Sequence, residues 1–221
     1  MDEIETFAFA GPSLWRQEPA PLANRKIRIL PPCRPGDLTA LADAYDKPRT
    51  VALIDLDFHH PPVLTHGEIL AVIRTGWQVW GLAGLGAVRG VELRDLGMRG
   101  FGKISKRMQK SGTLCDDEVI CLHRAEAPYT AASEPLIHLR QALSWLVAEN
   151  RLGRGEARKI SNELERKWFG DRTIETFNAL LMEQKVDGKA VTEMARCFDS
   201  FRIQRKDVDR FFAGCPYTKE Q

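Results

Sequence analysis

Val51-Ala52-Leu53-Ile54-Asp55-Leu56-Asp57-Phe58 is the strongest strand signal in the chain, an apolar run that carries two aspartates into its end. Upstream, Thr6 to Gly11 forms a second short apolar run, ended by Gly11-Pro12 as a buried strand entering a turn would be. Ile27 to Leu30 is a third, stopped by Pro31-Pro32, after which Asp37 is placed to N-cap a helix reaching about residue 46. Downstream, Ile69, Leu70 and Ile73 have helical spacing within His66 to Thr75, with Gly76 in the position of a C-terminal cap. Trp77 to Ala83 reads as another strand running into Gly84-Leu85-Gly86, and Val88, Val91 and Leu96 then mark a helix closed by Gly97. Strands alternating with helices predict an α/β fold, a mostly parallel sheet with flanking helices, whose functional groups lie at the C-terminal ends of the strands. Gly11 to Ser13, Asp55 to His60 and Gly84 to Arg89 should therefore be neighbouring loops.

Beyond residue 130 the strand signals stop. Ser133-Glu134-Pro135 opens a helix, and three later stripes have spacings of three and four: Ala157, Ile160, Leu164, Trp168; Ile174, Phe177, Leu181; and Val191, Met194, Phe198, Phe201. These read as core. The expected organisation is an α/β core over 1–130 followed by a C-terminal helical region over 131–221 packed on it, with disorder after Gly214.

Thirty-two basic against 30 acidic side chains leave a charge of +2, which supplies no field for nucleic acid or an anionic membrane. No stretch approaches the ~20 apolar residues of a bilayer span, and Met1 to Glu5 is acidic where a signal peptide is basic, so a cytoplasmic location is expected. Five widely spaced cysteines without a C-x-x-C pair argue against a disulfide framework or a cysteine zinc site.

Four constellations carry possible chemistry. Gly84-x-Gly86-x-x-x-Gly90 between strand and helix resembles a phosphate-binding turn, but it does not follow the first strand and no acidic residue stands about 20 positions on. Close backbone packing is the competing reading, and no cofactor is expected. Asp55-x-Asp57-x-His59-His60, with His66-x-Glu68 nearby, has the residue types of a metal site, yet adjacent histidines on a strand face opposite ways and no metal is expected. Asp116-Asp117-Glu118 is either a solvated, capping turn or a docking loop. Arg89 and Glu92 either pair on one helix face, or Arg89 turns toward the glycines to anchor a carboxylate or phosphate.

Taken in order, these segments resemble the TfuA-like family. The resemblance runs through Phe9-Ala10-Gly11-Pro12-Ser13-Leu14, Pro31 to Asp37, Ile54-Asp55 with Phe58, and His66-x-Glu68-Ile69-Leu70. Its most specific block is Gly86-Ala87-Val88-Arg89-x-x-Glu92-Leu93, followed by Gly97-Met98-x-Gly100-x-Gly102 and Asp116 to Val119. Ser133 to Leu136, Arg140 and Arg172-Thr173 extend it into the helical part. The resemblance implies a partnership with a YcaO enzyme, which uses ATP to activate a backbone amide of a ribosomally made peptide. It also implies possible contact with the precursor peptide and with a ThiS-like sulfur carrier protein. In thioamide-forming systems the family's activity is hydrolysis of a thiocarboxylated carrier by a serine and lysine pair, the lysine acting as base for the serine.

Here the sequence departs from the family. The family's His-Lys-Glu-Ile-Leu segment is His66-Gly67-Glu68-Ile69-Leu70, and its Gly-Ala-Ser-Ser-Met-Gly-like turn is Gly81-Leu82-Ala83-Gly84-Leu85-Gly86. Gly67 and Gly84 thus stand at the expected lysine and serine, and no serine lies between Thr65 and Lys103. The expectation is a non-catalytic YcaO partner in the maturation of a bacteriocin-like modified peptide. Its expected pocket is Ser13, Asp55, Phe58, His66, Gly67, Glu68, Gly84, Gly86, Arg89 and Glu92. Two alternatives stand beside it: a hydrolase or sulfur-transfer protein for thioamidation with Glu68 or Asp55 as base, and a nucleotide-binding enzyme built on the glycine turn.

Overall fold

The computed structural model describes residues 6–14, 27–58, 62–112 and 115–214. His59, His60 and the segment after Gly214 expected to be disordered lie outside these residues. The chain divides into two compact units, one of residues 1–115, 126–129 and 204–221, the other of 116–125 and 130–203.

Among the described residues, the first unit is built on five parallel strands, β1 (Thr6–Phe9), β2 (Ile27–Leu30), β3 (Thr50–Leu53), β4 (Gln78–Leu82) and β5 (Arg99–Phe101), in the order β2-β1-β3-β4-β5. Phe7 is level with Arg28 on one side and Val51 on the other, and Ala52 is level with Trp80. β1 and β3 are buried along their whole length, which is why they read as unbroken apolar runs rather than alternating ones. The strand order reverses between β1 and β3, the place where an open parallel sheet leaves a crevice beyond its carboxyl ends.

Among the described residues, five helices belong to this unit: α1 (Asp37–Asp43), α2 (His66–Arg74), α3 (Leu85–Glu92), α4 (Gly102–Ser111) and, from Gln204 onward, α9 (Ile203–Ala213). Ala8, Ala52, Ile54, Trp80 and Leu82 pack against Val208, Phe211 and Phe212 of α9. Asp207 of that helix is fully buried and accepts Lys103 N at 2.9 Å and Ile104 N at 3.0 Å, capping α4, which has no cap of its own. On α3, a methyl at Gly86 would overlap the Leu53 carbonyl and one at Gly81 the Gly86 carbonyl. These glycines let helix and strand backbones touch, which accounts for their spacing without a phosphate.

Two boundaries differ from the sequence reading, and two elements are added to it. α1 starts at Asp37, one residue earlier than an Asp37 N-cap implies, and ends at Asp43, because Gly36 in the left-handed region (φ 91°) is the N-cap and the Asp37 carboxylate turns back to accept Arg34 N at 2.8 Å. β3 ends at Leu53 instead of running to Phe58: Ile54 N and Asp55 N both donate to Phe9 O, and Leu56 then pairs with Cys33 beyond the end of β1. β5 and α4 follow Gly97 as further elements.

The second unit is helical, with α5 (Leu136–Ala148), α6 (Arg154–Arg166), α7 (Ile174–Glu183) and α8 (Gly188–Arg196) around Leu139, Leu143, Leu146, Ile160, Leu164, Phe177, Leu181, Met194, Phe198 and Phe201. Trp168, expected in this core, is 56% exposed: α6 stops at Arg166, so the stripe loses its helical phase there. Arg172, only 1% exposed, donates to Leu164 O, Glu165 O and Lys167 O and so closes the α6 C-terminus. Among the described residues no helix is long and apolar enough to cross a membrane.

Candidate functional site at the strand ends

Asp55 leaves the end of β3 with 6% exposure, and its carboxylate organises the switch point. Oδ2 accepts Gly11 N at 2.8 Å and Ser13 N at 3.0 Å, and Oδ1 accepts the Ser13 hydroxyl at 2.7 Å. From the neighbouring strand, Gly86 N donates to Ile54 O at 3.2 Å, and a Cβ on Gly84 would lie 2.6 Å from Asp55 Oδ1 and 2.8 Å from Ile54 O. The three strand-end loops therefore meet, with Ser13, Asp55, Gly84 and Gly86 at their junction. Both sides of that junction are engaged: the serine spends its proton on Asp55, and the carboxylate accepts three donors.

Gly84 has no room for a side chain, since the Ile54 carbonyl is part of the backbone and cannot step aside. One residue earlier, Ala83 holds a left-handed conformation (φ 61°) and its methyl is fully buried with Trp80 and Leu82. Neither position of the turn offers a nucleophile. Gly67, by contrast, faces open space in the first turn of α2, its nearest neighbour being Thr65 Oγ1 at 3.8 Å.

The α2 N-terminus sends its polar residues in two directions. Thr65 caps the helix by accepting Glu68 N at 3.2 Å. The Glu68 carboxylate crosses to α1 and accepts Gly36 N at 2.9 Å, Leu38 N at 3.1 Å and Thr39 N at 3.2 Å. It is a cap supplied from another helix, placed where the macrodipole of α1 favours an anion. His66 Nε2 and Arg89 Nη1 both meet Glu92 Oε2, at 2.9 and 2.6 Å. Of the two orientations considered for Arg89, the ion pair at i,i+3 is present. Phe58 is half-buried at the end of the β3 extension.

Arg34 Nε holds Asp57 Oδ2 at 2.7 Å, a contact that no sequence pattern announces across 23 residues. That pairing and the separate partners of His66 and Glu68 give these three described residues of the metal reading other contacts. Among the described residues no group of three or more His, Cys, Asp or Glu side chains is placed to hold a metal ion. Burial, then the nearby charges of Asp37 and Glu68, push the Cys33 thiol far above its ordinary range, so it is inert.

In the second unit, Asp117 Oδ2 accepts Arg172 Nη2 at 2.6 Å and Glu118 pairs with Arg140. Two of the three acids considered as a docking loop thus anchor helices of their own unit.

The profile of the TfuA-like protein family matches residues 55–173. The chain belongs to the TfuA-like family. The matched span covers the junction at Asp55, the α2 and α3 polar residues and the Arg172 closure of α6. A search of curated proteins gives no match. TfuA-like proteins are known as YcaO partners, and membership supports that general role here.

Proposed function

We propose that this TfuA-like chain is a non-catalytic partner of a YcaO enzyme in the cytoplasmic maturation of a ribosomally made, bacteriocin-like peptide. The observation that carries this reading is the packing at Gly84: a serine there would collide with Ile54 O and Asp55 Oδ1. Loss of the nucleophile is accompanied by Gly67 in place of the base, and the two carboxylates that could activate water instead are engaged. Asp55 is held by three donors and Glu68 by the amides of α1. A general base needs a lone pair aimed at its substrate, and these bonds hold both carboxylates in structural roles instead. The glycines of the turn are accounted for by helix-to-strand packing, which removes the motive for a nucleotide.

On this reading the chain acts through the YcaO enzyme, and the backbone modification is one that needs no released sulfide, such as azoline or amidine formation. The test is modification of the precursor peptide by the YcaO enzyme with and without this chain, alongside co-elution of the two proteins. The expected result is a stable complex and peptide modification that depends on it. Modification at full rate by the YcaO enzyme alone, without co-elution, contradicts the reading.

A further inference from the structure

β2 is an edge strand: β1 pairs with one side of it, and among the described residues no strand pairs with the other. The outer edge of a sheet presents unpaired backbone donors and acceptors and is a template for one more strand. α1 is only seven residues long and leaves a groove of about 580 Å³ open beside this edge. Phe7, Phe9, Leu30, Ala40 of α1, its C-cap Ala44 and Tyr129 line it. Ala40 and Ala44 are exposed, as is Arg28, whose guanidinium pairs with no other described residue. Arg34 stands at the same rim, with its side chain 60% exposed.

We propose that the β2 edge and this groove bind one extended segment of the peptide substrate as a sixth strand. Its alternate side chains, apolar or aromatic, enter the groove, and a carboxylate between them meets Arg28. This deepens the reading above and rests on it, because it names the surface by which a partner of a peptide-modifying enzyme would hold the peptide. The chemistry follows from the surface. Main-chain pairing asks only for an extended backbone, the period of two sends every second side chain to the groove, and the exposed Arg28 cation selects an acidic neighbour. A second copy of this chain fits less well, since two β2 edges meeting would bring Arg28 and Arg34 of both copies together.

The test uses the whole chain and a displayed library of random dodecapeptides, the enriched peptide then being labelled with fluorescein and titrated by polarisation. Enriched sequences are expected to alternate apolar residues and to carry Asp or Glu. Ala40→Trp, which fills the groove from an exposed position, should weaken binding by about tenfold or more, and Arg28→Glu by several-fold. Exchanging the peptide's acid for lysine should restore binding to Arg28→Glu. Absence of enrichment, or affinity unchanged in both variants, overturns the proposal. So does hydrogen exchange showing the outward amides of β2 already protected in the free chain. Co-elution with the YcaO enzyme is measured on the same variants. No co-elution of the parent chain with peptide binding intact counts against the partner reading and leaves the groove standing, whereas co-elution with peptide binding indifferent to both substitutions removes the groove alone.

Discussion

The Ser13 hydroxyl donates to Asp55 Oδ1 across 2.7 Å, tying the turn after β1 to the end of β3 at the point where the strand order reverses. With Gly11 N and Ser13 N on the other oxygen, a nearly buried carboxylate joins two strand ends that are 42 residues apart in sequence. A structural clamp thus holds the crevice at the switch point.

Asp55→Asn should cost about 2 kcal/mol, because the replacement amide turns one acceptor into a donor facing backbone N–H or the Ser13 hydroxyl. Ser13→Ala removes a single donor and should cost about 1–2 kcal/mol. Chemical denaturation of the two single variants and the double variant gives the coupling. A double variant that costs the full sum of the singles would show that the two residues do not act together.

Gly84→Ser should not restore chemistry, and should lower stability by about 2–3 kcal/mol through overpacking against the Ile54 carbonyl. Gly67→Lys should be near neutral, because the position is open. Thermal unfolding separates the two: equal melting temperatures for Gly84→Ser and the parent chain would mean that the turn has room.

Glu68→Gln should lower stability by about 1 kcal/mol, by weakening a charged cap on the α1 amides. The loss should appear as faster amide exchange at Leu38 and Thr39. Unchanged exchange there would separate Glu68 from the integrity of α1.

Acid should weaken the second unit through a buried cluster. Burial pushes the His138 pKa below its ordinary value despite the Glu134 hydrogen bond at 3.2 Å, so the ring is neutral in the folded unit. Burial alone would raise Glu134, but hydrogen bonds from His138 and Arg202 outweigh it and hold the carboxyl below its ordinary value. Both signs agree. As pH falls below about 6.5 the unfolded chain takes up the His138 proton first, and below about 4.5 it takes up that of Glu134. The expected loss is at most about 1.4 kcal/mol per pH unit for each group. His138→Gln should flatten the upper part of the profile, and a profile unaltered by that change would contradict the assignment.

The alternation of β3, α2, β4 and α3 was legible because each apolar run ends at a glycine or at polar strand-end residues, and the strand-end rule brought Ser13, Asp55 and Gly84 together on paper. β5 and α4 were not legible. Arg99-Gly100-Phe101 is too short to show a period, and α4 opens on Gly102 with its cap supplied by Asp207 from the far end of the chain. Glu68 looks like a first-turn helix residue and a candidate base, and only tertiary structure shows it capping a different helix. Trp168 fits a helical stripe in sequence, but the helix ends two residues before it. The packing surface of α9 is equally silent, since Val208, Phe211 and Phe212 have the spacing of any amphipathic helix whatever they cover.

The central claim is that this TfuA-like chain serves a YcaO enzyme without hydrolysing anything itself. Its most direct test is the intact mass of a thiocarboxylated ThiS-like carrier incubated with the chain, alone and with the YcaO enzyme. The carrier should remain thiocarboxylated in both mixtures at the rate seen in buffer. Conversion to the carboxylate by the chain, abolished by Asp55→Asn or Glu68→Gln at a temperature where the variant is folded, would contradict the account and assign the hydrolysis to those carboxylates.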